Sequence, residues 1–187
     1  MRRKLMGLAV TALLISASAR PAAAQARGYF GFGGGLSLPI GDFKDGAKLG
    51  WLGQAFGGVT TGSGMWGGRI DGMYARNSLK GLSSGVTGHE ELFGANADVV
   101  ITPGKSGAKA RPYFLAGIGF YNGKAKISSV STSASQTKFA FNGGAGINIH
   151  TSKQMGVYIE ARFVSVQTDP DKLNFIPISV GLRWGGF

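Results

Sequence analysis

Arg69, Asp71, Asp98, Glu160, Arg162 and Arg183 are the residues of this chain with the most chemistry to offer. Arg69 and Asp71 are two apart, as are Glu160 and Arg162, and in an extended chain such spacing sends both side chains to the same face. All six sit in stretches of alternating large apolar and small residues, so they point towards a shared interior. A buried charge without a partner is costly, whereas charges interleaved by sign can form a hydrogen-bonded network. The other chemistry open to such a lining is ion selectivity, which requires a continuous water path.

The remaining motifs carry less. Gly62-Ser-Gly-Met-Trp-Gly67 fits G-x-G-x-x-G, but no helical pattern follows to aim amides at a phosphate, so it reads as a turn. Gly81-Leu-Ser-Ser-Gly85 fits G-x-S-x-G without the strand and helix that a nucleophile elbow needs. Pairing Ser83 or Ser84 with His89 would require a geometry that sequence proximity does not supply. Ser135-Gln-Thr-Lys138 matches S-x-x-K inside a Ser/Thr-rich loop. His89 and His150 are the only histidines, cysteine is absent, and the acids at Asp42, Asp45, Glu90 and Glu91 read as solvated loop charge. No catalytic, cofactor or metal site is expected.

The elements that must position the six charges are strands. Apolar residues alternate with small or polar ones over 28–38, 66–76, 91–101, 112–121, 138–149 and 157–166, and over the closing segment from Phe175. An eighth strand, at about 49–59, is the least regular and its register stays open. Outward residues include Phe30, Phe32 and Leu36 in the first strand and Trp66, Ile70 and Tyr74 in the third. They continue with Phe93 to Ile101, Phe114 to Phe120, Phe139 to Ile149 and Val157 to Phe163, and end with Ile176 to Trp184. Asn96, Asn142 and Asn148 join the charges inside.

A soluble sheet would have to cover that apolar face with a second layer, whereas a membrane barrel shows it to lipid and turns its polar face inward. Eight strands of ~9–11 residues suit the length and leave no room for a 16-strand porin. The 33 glycines fall within strands without a collagen-like period, as crowded barrel walls demand. Residues 1–24 read as a cleaved signal peptide. Arg2, Arg3 and Lys4 precede an apolar stretch shorter than the ~20 residues of a spanning helix, and Ala22-Ala23-Ala24 offers the cleavage site. Residues 25–187 then form the barrel domain, with sixteen Lys and Arg against nine Asp and Glu. No basic stripe with interleaved aromatics suggests nucleic-acid binding.

With the N-terminus in the periplasm, the connections at 39–48, 77–90, 122–137 and 167–174 face outside and those at 60–65, 102–111 and 150–156 face the periplasm. Aromatics then form two girdles: Phe30, Trp66, Phe114 and Trp184 at the periplasmic side, Tyr74, Phe93, Phe120, Phe139 and Phe163 at the outer side. Symmetry about the hairpin centres places Arg69 opposite Asp98 and Glu160 opposite Arg183. These two ion pairs would share one level and block the lumen near its periplasmic end.

Five segments resemble the small bacterial outer-membrane β-barrel proteins, the eight-stranded OmpA/OmpX-like group with a porin-family barrel domain. They are Leu38-Pro-Ile-Gly-Asp-Phe43, Arg69-Ile-Asp-Gly-Met-Tyr74, Pro112-Tyr-Phe-Leu-Ala-Gly-Ile-Gly119, Glu160-Ala-Arg162 and Pro177-Ile-Ser-Val-Gly-Leu-Arg183. The resemblance implies an all-β, eight-stranded antiparallel up-and-down transmembrane barrel, integral to the outer membrane after export. Its implied partners are outer-membrane lipids and lipopolysaccharide, periplasmic chaperones and the barrel-assembly machinery. The last would read Gly181, Trp184 and Phe187 as an assembly signal, with Gly186 standing where alternation would place an aromatic. The expected function is a non-enzymatic structural or surface-interaction role of a monomer through its outer loops. The alternative is a narrow channel for small molecules, hydrophobic ones included.

Overall fold

The computed structural model describes residues 26–81, 87–127, 135–168 and 172–186. The expected leader at 1–24, Ser83, Ser84 and Phe187 lie outside these residues. The strands are β1 (Arg27–Ile40), β2 (Ala47–Thr60), β3 (Trp66–Leu79), β4 (Gly88–Ile101), β5 (Ala110–Ile127), β6 (Ser135–His150), β7 (Met155–Val166) and β8 (Leu173–Gly185), with one short helix, α1 (Asp42–Gly46), between β1 and β2. Each strand pairs antiparallel with its neighbours in sequence, and β1 pairs with β8 to close an eight-stranded up-and-down barrel. Closure leaves no edge, so every strand's backbone groups find partners within the wall.

The polarity of the wall is the reverse of a water-soluble sheet. Ile70 is 70% exposed while Asp71, next in sequence, is 6% exposed. The same inversion repeats around the wall, where the large outward residues are apolar and charged residues lie inside. Among the described residues no helix is long and apolar enough to cross a membrane. The strands do this instead, their outward faces exchanging water for acyl chains.

Two ends can be distinguished. At the terminal end lie the start of β1, the end of β8, and the β2–β3, β4–β5 and β6–β7 connections; at the loop end lie α1 and the other three connections. At the loop end several strands outrun the alternation in the sequence: β4 starts at Gly88 rather than 91, β5 continues to Ile127 rather than 121, and β6 starts at Ser135 rather than 138. The apolar outward pattern stops there but the ladder does not, since Glu91 stands opposite Lys124 and Asn122 opposite Thr137. Hydrogen-bonded pairing continues past the point where outward residues must be apolar.

The irregularity of β2 has a local cause. Its register with β3 shifts between Ala47 and Gly50, so Ala47 points inward out of phase with Leu52, Gln54 and Phe56. Beyond that bulge the alternation is regular, with Trp51 outward and opposite Leu36 and Arg76.

Candidate functional site

The lumen is filled by side chains, in two layers of opposite character. On the terminal side of mid-barrel lies the charged layer. Glu160 is its hub: Arg69 Nη1 donates to Oε2 at 2.6 Å and Tyr113 Oη donates to the same oxygen at 2.8 Å, while Arg162 Nε donates to Oε1 at 2.7 Å. Arg162 then reaches two further carboxylates, Asp71 at 2.8 Å through Nη2 and Asp98 at 3.3 Å through Nη1. Asn96 donates to Asp71 at 2.8 Å and Asn142 to Asp98 at 2.9 Å. The Arg69 guanidinium also stacks on Phe56, 3.9 Å above the ring. All five charged members are buried, and each carboxylate is held by at least one guanidinium together with a neutral donor or a second guanidinium. That arrangement offsets the large desolvation cost of burying charge.

The register agrees with one expected pair and corrects the other. Arg69 does stand opposite Asp98, yet its short ion pair is with Glu160 across the lumen. In so narrow a barrel a long side chain reaches the far wall as readily as the neighbouring strand. Glu160 stands opposite Ser179, not Arg183, because β7 and β8 pair up to Val166 and Leu173 and so centre their connection nearer β7. The slip is an even number of residues, so it preserves which face each side chain takes while changing its depth. Arg183 consequently lies opposite Gly156 at the terminal rim, stacked 3.9 Å over the Tyr29 ring and donating to the Gly186 carbonyl at 3.3 Å. The charges occupy two levels rather than one.

The second layer was not anticipated. From mid-barrel to the loop end, the inward positions hold Leu52, Met73, Ala75, Leu92, Tyr121, Val164, Val166 and Phe175. Phe43 of α1 caps them: Gly41, with φ of 59°, turns the chain out of β1, and the helix lowers Phe43 into the mouth while Asp42 and Asp45 stay in solvent. Tyr121 links the layers, its ring packed edge-on against Phe175 at 5.8 Å and its hydroxyl accepting from Asn96 at 3.1 Å. Gly94 makes this possible, since a Cβ there would collide with the Tyr121 ring. Above the plug the lumen ends in a recess of about 220 Å³, floored by Leu92, Tyr121, Val166 and Leu173 and rimmed by Glu90 and Lys138. The inward alternation of β3, Arg69-Asp71-Met73-Ala75, was the available signal: the polar face turns apolar halfway along the strand.

The other residues singled out from the sequence fall as follows. Phe30, Trp66, Phe114, Phe93, Phe120 and Phe163 project outward and are exposed, and Tyr74 and Phe139 are partly covered by neighbours, Trp51 at 5.4 Å and Phe120 at 5.6 Å between ring centroids. Trp51, in the strand whose register the sequence left open, belongs with the loop-side set. Trp184 stacks on Phe30 at 5.5 Å and on Phe32 at 5.4 Å, across the β1–β8 seam. Gly181 faces inward beneath Tyr158, where a Cβ would collide with the Phe32 carbonyl and the Tyr158 ring. Gly185 and Gly186 have φ of 76° and 68°, so the extended strand ends there, which accounts for the interrupted aromatic alternation. His89 sits on the outer wall between Arg76, at 3.2 Å, and Glu91, at 3.2 Å; His150 lies at the opposite end, against the Ala108 carbonyl. Among the described residues no three His, Cys, Asp or Glu side chains gather as a metal site.

A closed barrel that is apolar outside and ion-paired inside is a transmembrane β-barrel. The chain matches the outer membrane protein beta-barrel domain family over residues 9–184 and belongs to it, which places it among outer-membrane proteins. Among solved structures it is similar to neisserial surface protein A (12% identity, 88% of this chain, 99% of that chain, TM-score 0.59). It is also similar to Ail, the attachment invasion locus protein of Yersinia pestis, in complex with the heparin analogue sucrose octasulfate (18% identity, 86% of this chain, 98% of that chain, TM-score 0.58). A third is the N-terminal barrel domain of Pseudomonas aeruginosa OprF (14% identity, 86% of this chain, 96% of that chain, TM-score 0.50). At these identities the likeness is one of fold. No protein of curated function matches the chain by sequence.

Proposed function

We propose that this protein is a non-enzymatic surface-interaction barrel of the outer membrane, working through its loop end, which faces outside, rather than by conducting solute. The observation that carries the reading is the polar extension of β3 to β6 above a plugged lumen. β5 and β6 are 18 and 16 residues long, well beyond the ~9–11 that cross a bilayer. Their loop-side strand ends, paired with those of β3 and β4, form a wall carrying Arg76, His89, Glu91, Asn122, Lys124 and Thr137 outward. A wall of paired strands presents side chains at fixed spacing, which suits recognition of a surface better than passage of a solute. Ail, a fold relative, was crystallised with a heparin analogue, but here Lys and Arg at the loop end are nearly matched by Asp and Glu, which favours a partner of mixed charge.

Capture from cell-surface extracts by the intact barrel in lipid nanodiscs tests this. The expected result is a retained component that is lost when Arg76, Glu91 and Lys124 are replaced together by Ala, with the barrel's heat-modifiable migration unchanged. Retention indifferent to that replacement would remove the loop-end wall from the function.

A further inference from the structure

The net charge of the barrel is concentrated at one end. Counted by sequence over residues 26–187, with Asp169 and Asp171 assigned only by their place in the chain between β7 and β8, the loop end has eight Lys and Arg (Lys44, Lys48, Arg76, Lys80, Lys124, Lys126, Lys138, Lys172) against six acids (Asp42, Asp45, Glu90, Glu91, Asp169, Asp171). The lumenal layer has two against three. The terminal end has six, Arg27, Lys105, Lys109, Arg111, Lys153 and Arg183, and not one Asp or Glu. Arg111 and Arg183 are buried in the mouth, Arg111 donating to the carbonyls of Gly64 at 3.1 Å and Thr102 at 3.3 Å. Arg27, Lys105, Lys109 and Lys153 are exposed on the rim.

Their distribution identifies the partner. Arg27 opens β1, Lys105 and Lys109 lie between β4 and β5 on the opposite wall of the closed strand order, and Lys153 lies between β6 and β7. The cations therefore ring the barrel instead of forming one face, as a folded protein would require. Each is a few residues from outward apolar side chains, Arg27 from Phe30, Lys105 from Ile101, Lys109 from Phe114 and Lys153 from Val157, so the ring sits at the border of the lipid-facing belt. Flexible basic side chains at that depth reach headgroup phosphates with their stems along the apolar wall.

We propose that the terminal rim is a collar for anionic phospholipid headgroups, with Arg27, Lys105, Lys109 and Lys153 paired to the phosphates of the leaflet on that side. A basic residue near an anionic membrane surface is worth roughly a fivefold preference, and the preference falls as salt screens it. The collar would also resist reversal of the barrel across the membrane, because the only wholly basic end stays with the phospholipid leaflet. It concerns the end opposite the proposed interaction wall and stands or falls separately from it.

The test is lipid enrichment. The protein extracted from membranes is reconstituted in phosphatidylcholine vesicles with a minor fraction of phosphatidylglycerol, and the lipid that remains bound after mild detergent extraction is weighed by native mass spectrometry. Phosphatidylglycerol should be enriched at least about fivefold over the bulk mixture at low salt. The combined variant Arg27→Gln, Lys105→Gln, Lys109→Gln and Lys153→Gln should bring the ratio to the bulk value. The loop-end control Lys44→Gln, Lys48→Gln, Lys80→Gln and Lys124→Gln should leave most of the enrichment, both variants keeping heat-modifiable migration. Equal enrichment in the two variants, or none in the wild type, overturns the proposal. So does displacement of the lipid by inorganic phosphate at matched ionic strength, which would mark a free-phosphate site. Rim-dependent capture of soluble peptidoglycan fragments without lipid enrichment would reassign the collar to an anionic glycan and overturn it equally.

Discussion

The two halves of the lumen solve the same packing problem with opposite chemistry. Towards the terminal end, Arg69, Asp71, Asp98, Glu160 and Arg162 satisfy one another through short ion pairs. Towards the loop end, Met73, Leu92, Val164 and Phe175 fill the same cross-section with no charge at all. Both are built of buried side chains, but they respond differently to loss of a member. A deleted apolar side chain leaves a cavity, whereas a deleted ion leaves its partners charged and stranded. Blockage of the lumen therefore does not depend on ion pairs alone, so breaking the network should weaken the barrel without opening it.

The largest expected effect is at the hub. Glu160→Ala takes from Arg69 its shortest ion pair, leaving it only the longer one to Asp71 at 3.5 Å, takes from Arg162 one of three carboxylates, and removes the acceptor of Tyr113, and should cost about 3–5 kcal/mol in urea unfolding of the folded barrel in detergent. Adding Asp98→Ala should lower stability further by removing another acceptor from Arg162. In the apolar half, Met73→Ala should cost about 2–4 kcal/mol by the same measurement. If Met73→Ala cost more than Glu160→Ala, the contrast between the layers would be wrong. At their junction, Gly94→Ala should cost about 1–3 kcal/mol by pushing on the Tyr121 ring, and Tyr121→Ala in the same chain should recover part of that specific clash in a double-mutant cycle. Smallest is Arg183→Ala, which removes the stack on Tyr29 at the rim and should cost about 1 kcal/mol. An effect as large as that of Glu160→Ala would place Arg183 within the network.

Much of this was legible because alternation is a local property. Which residues of β3 to β8 face outward follows from a period of two, and so does the inward direction of all six charges. Depth was harder. Arg69 and Asp98 could be aligned because β3 and β4 are joined by a connection placed symmetrically between them, whereas Glu160 and Arg183 could not, since a loop's length does not say where its strands begin to pair. Side-chain partners across the lumen were out of reach for a further reason: Arg69 and Glu160 are 91 residues apart and meet only because the sheet closes. The plug combines both difficulties. Its members lie in seven strands, β2 to β8, and Phe43 joins them from a helix that the acids Asp42 and Asp45 made look like a solvated loop.

A lumen filled by the charged layer and the apolar plug leaves the proposed surface role, rather than passage of solute, as the one to test. Single-channel recording in planar bilayers tests it most directly, on the wild type and on Glu160→Ala side by side. Neither should carry a steady unitary current, because the apolar plug from Leu52 to Phe175 remains when the ion pairs are broken. A large, stable single-channel current from the wild type would contradict it.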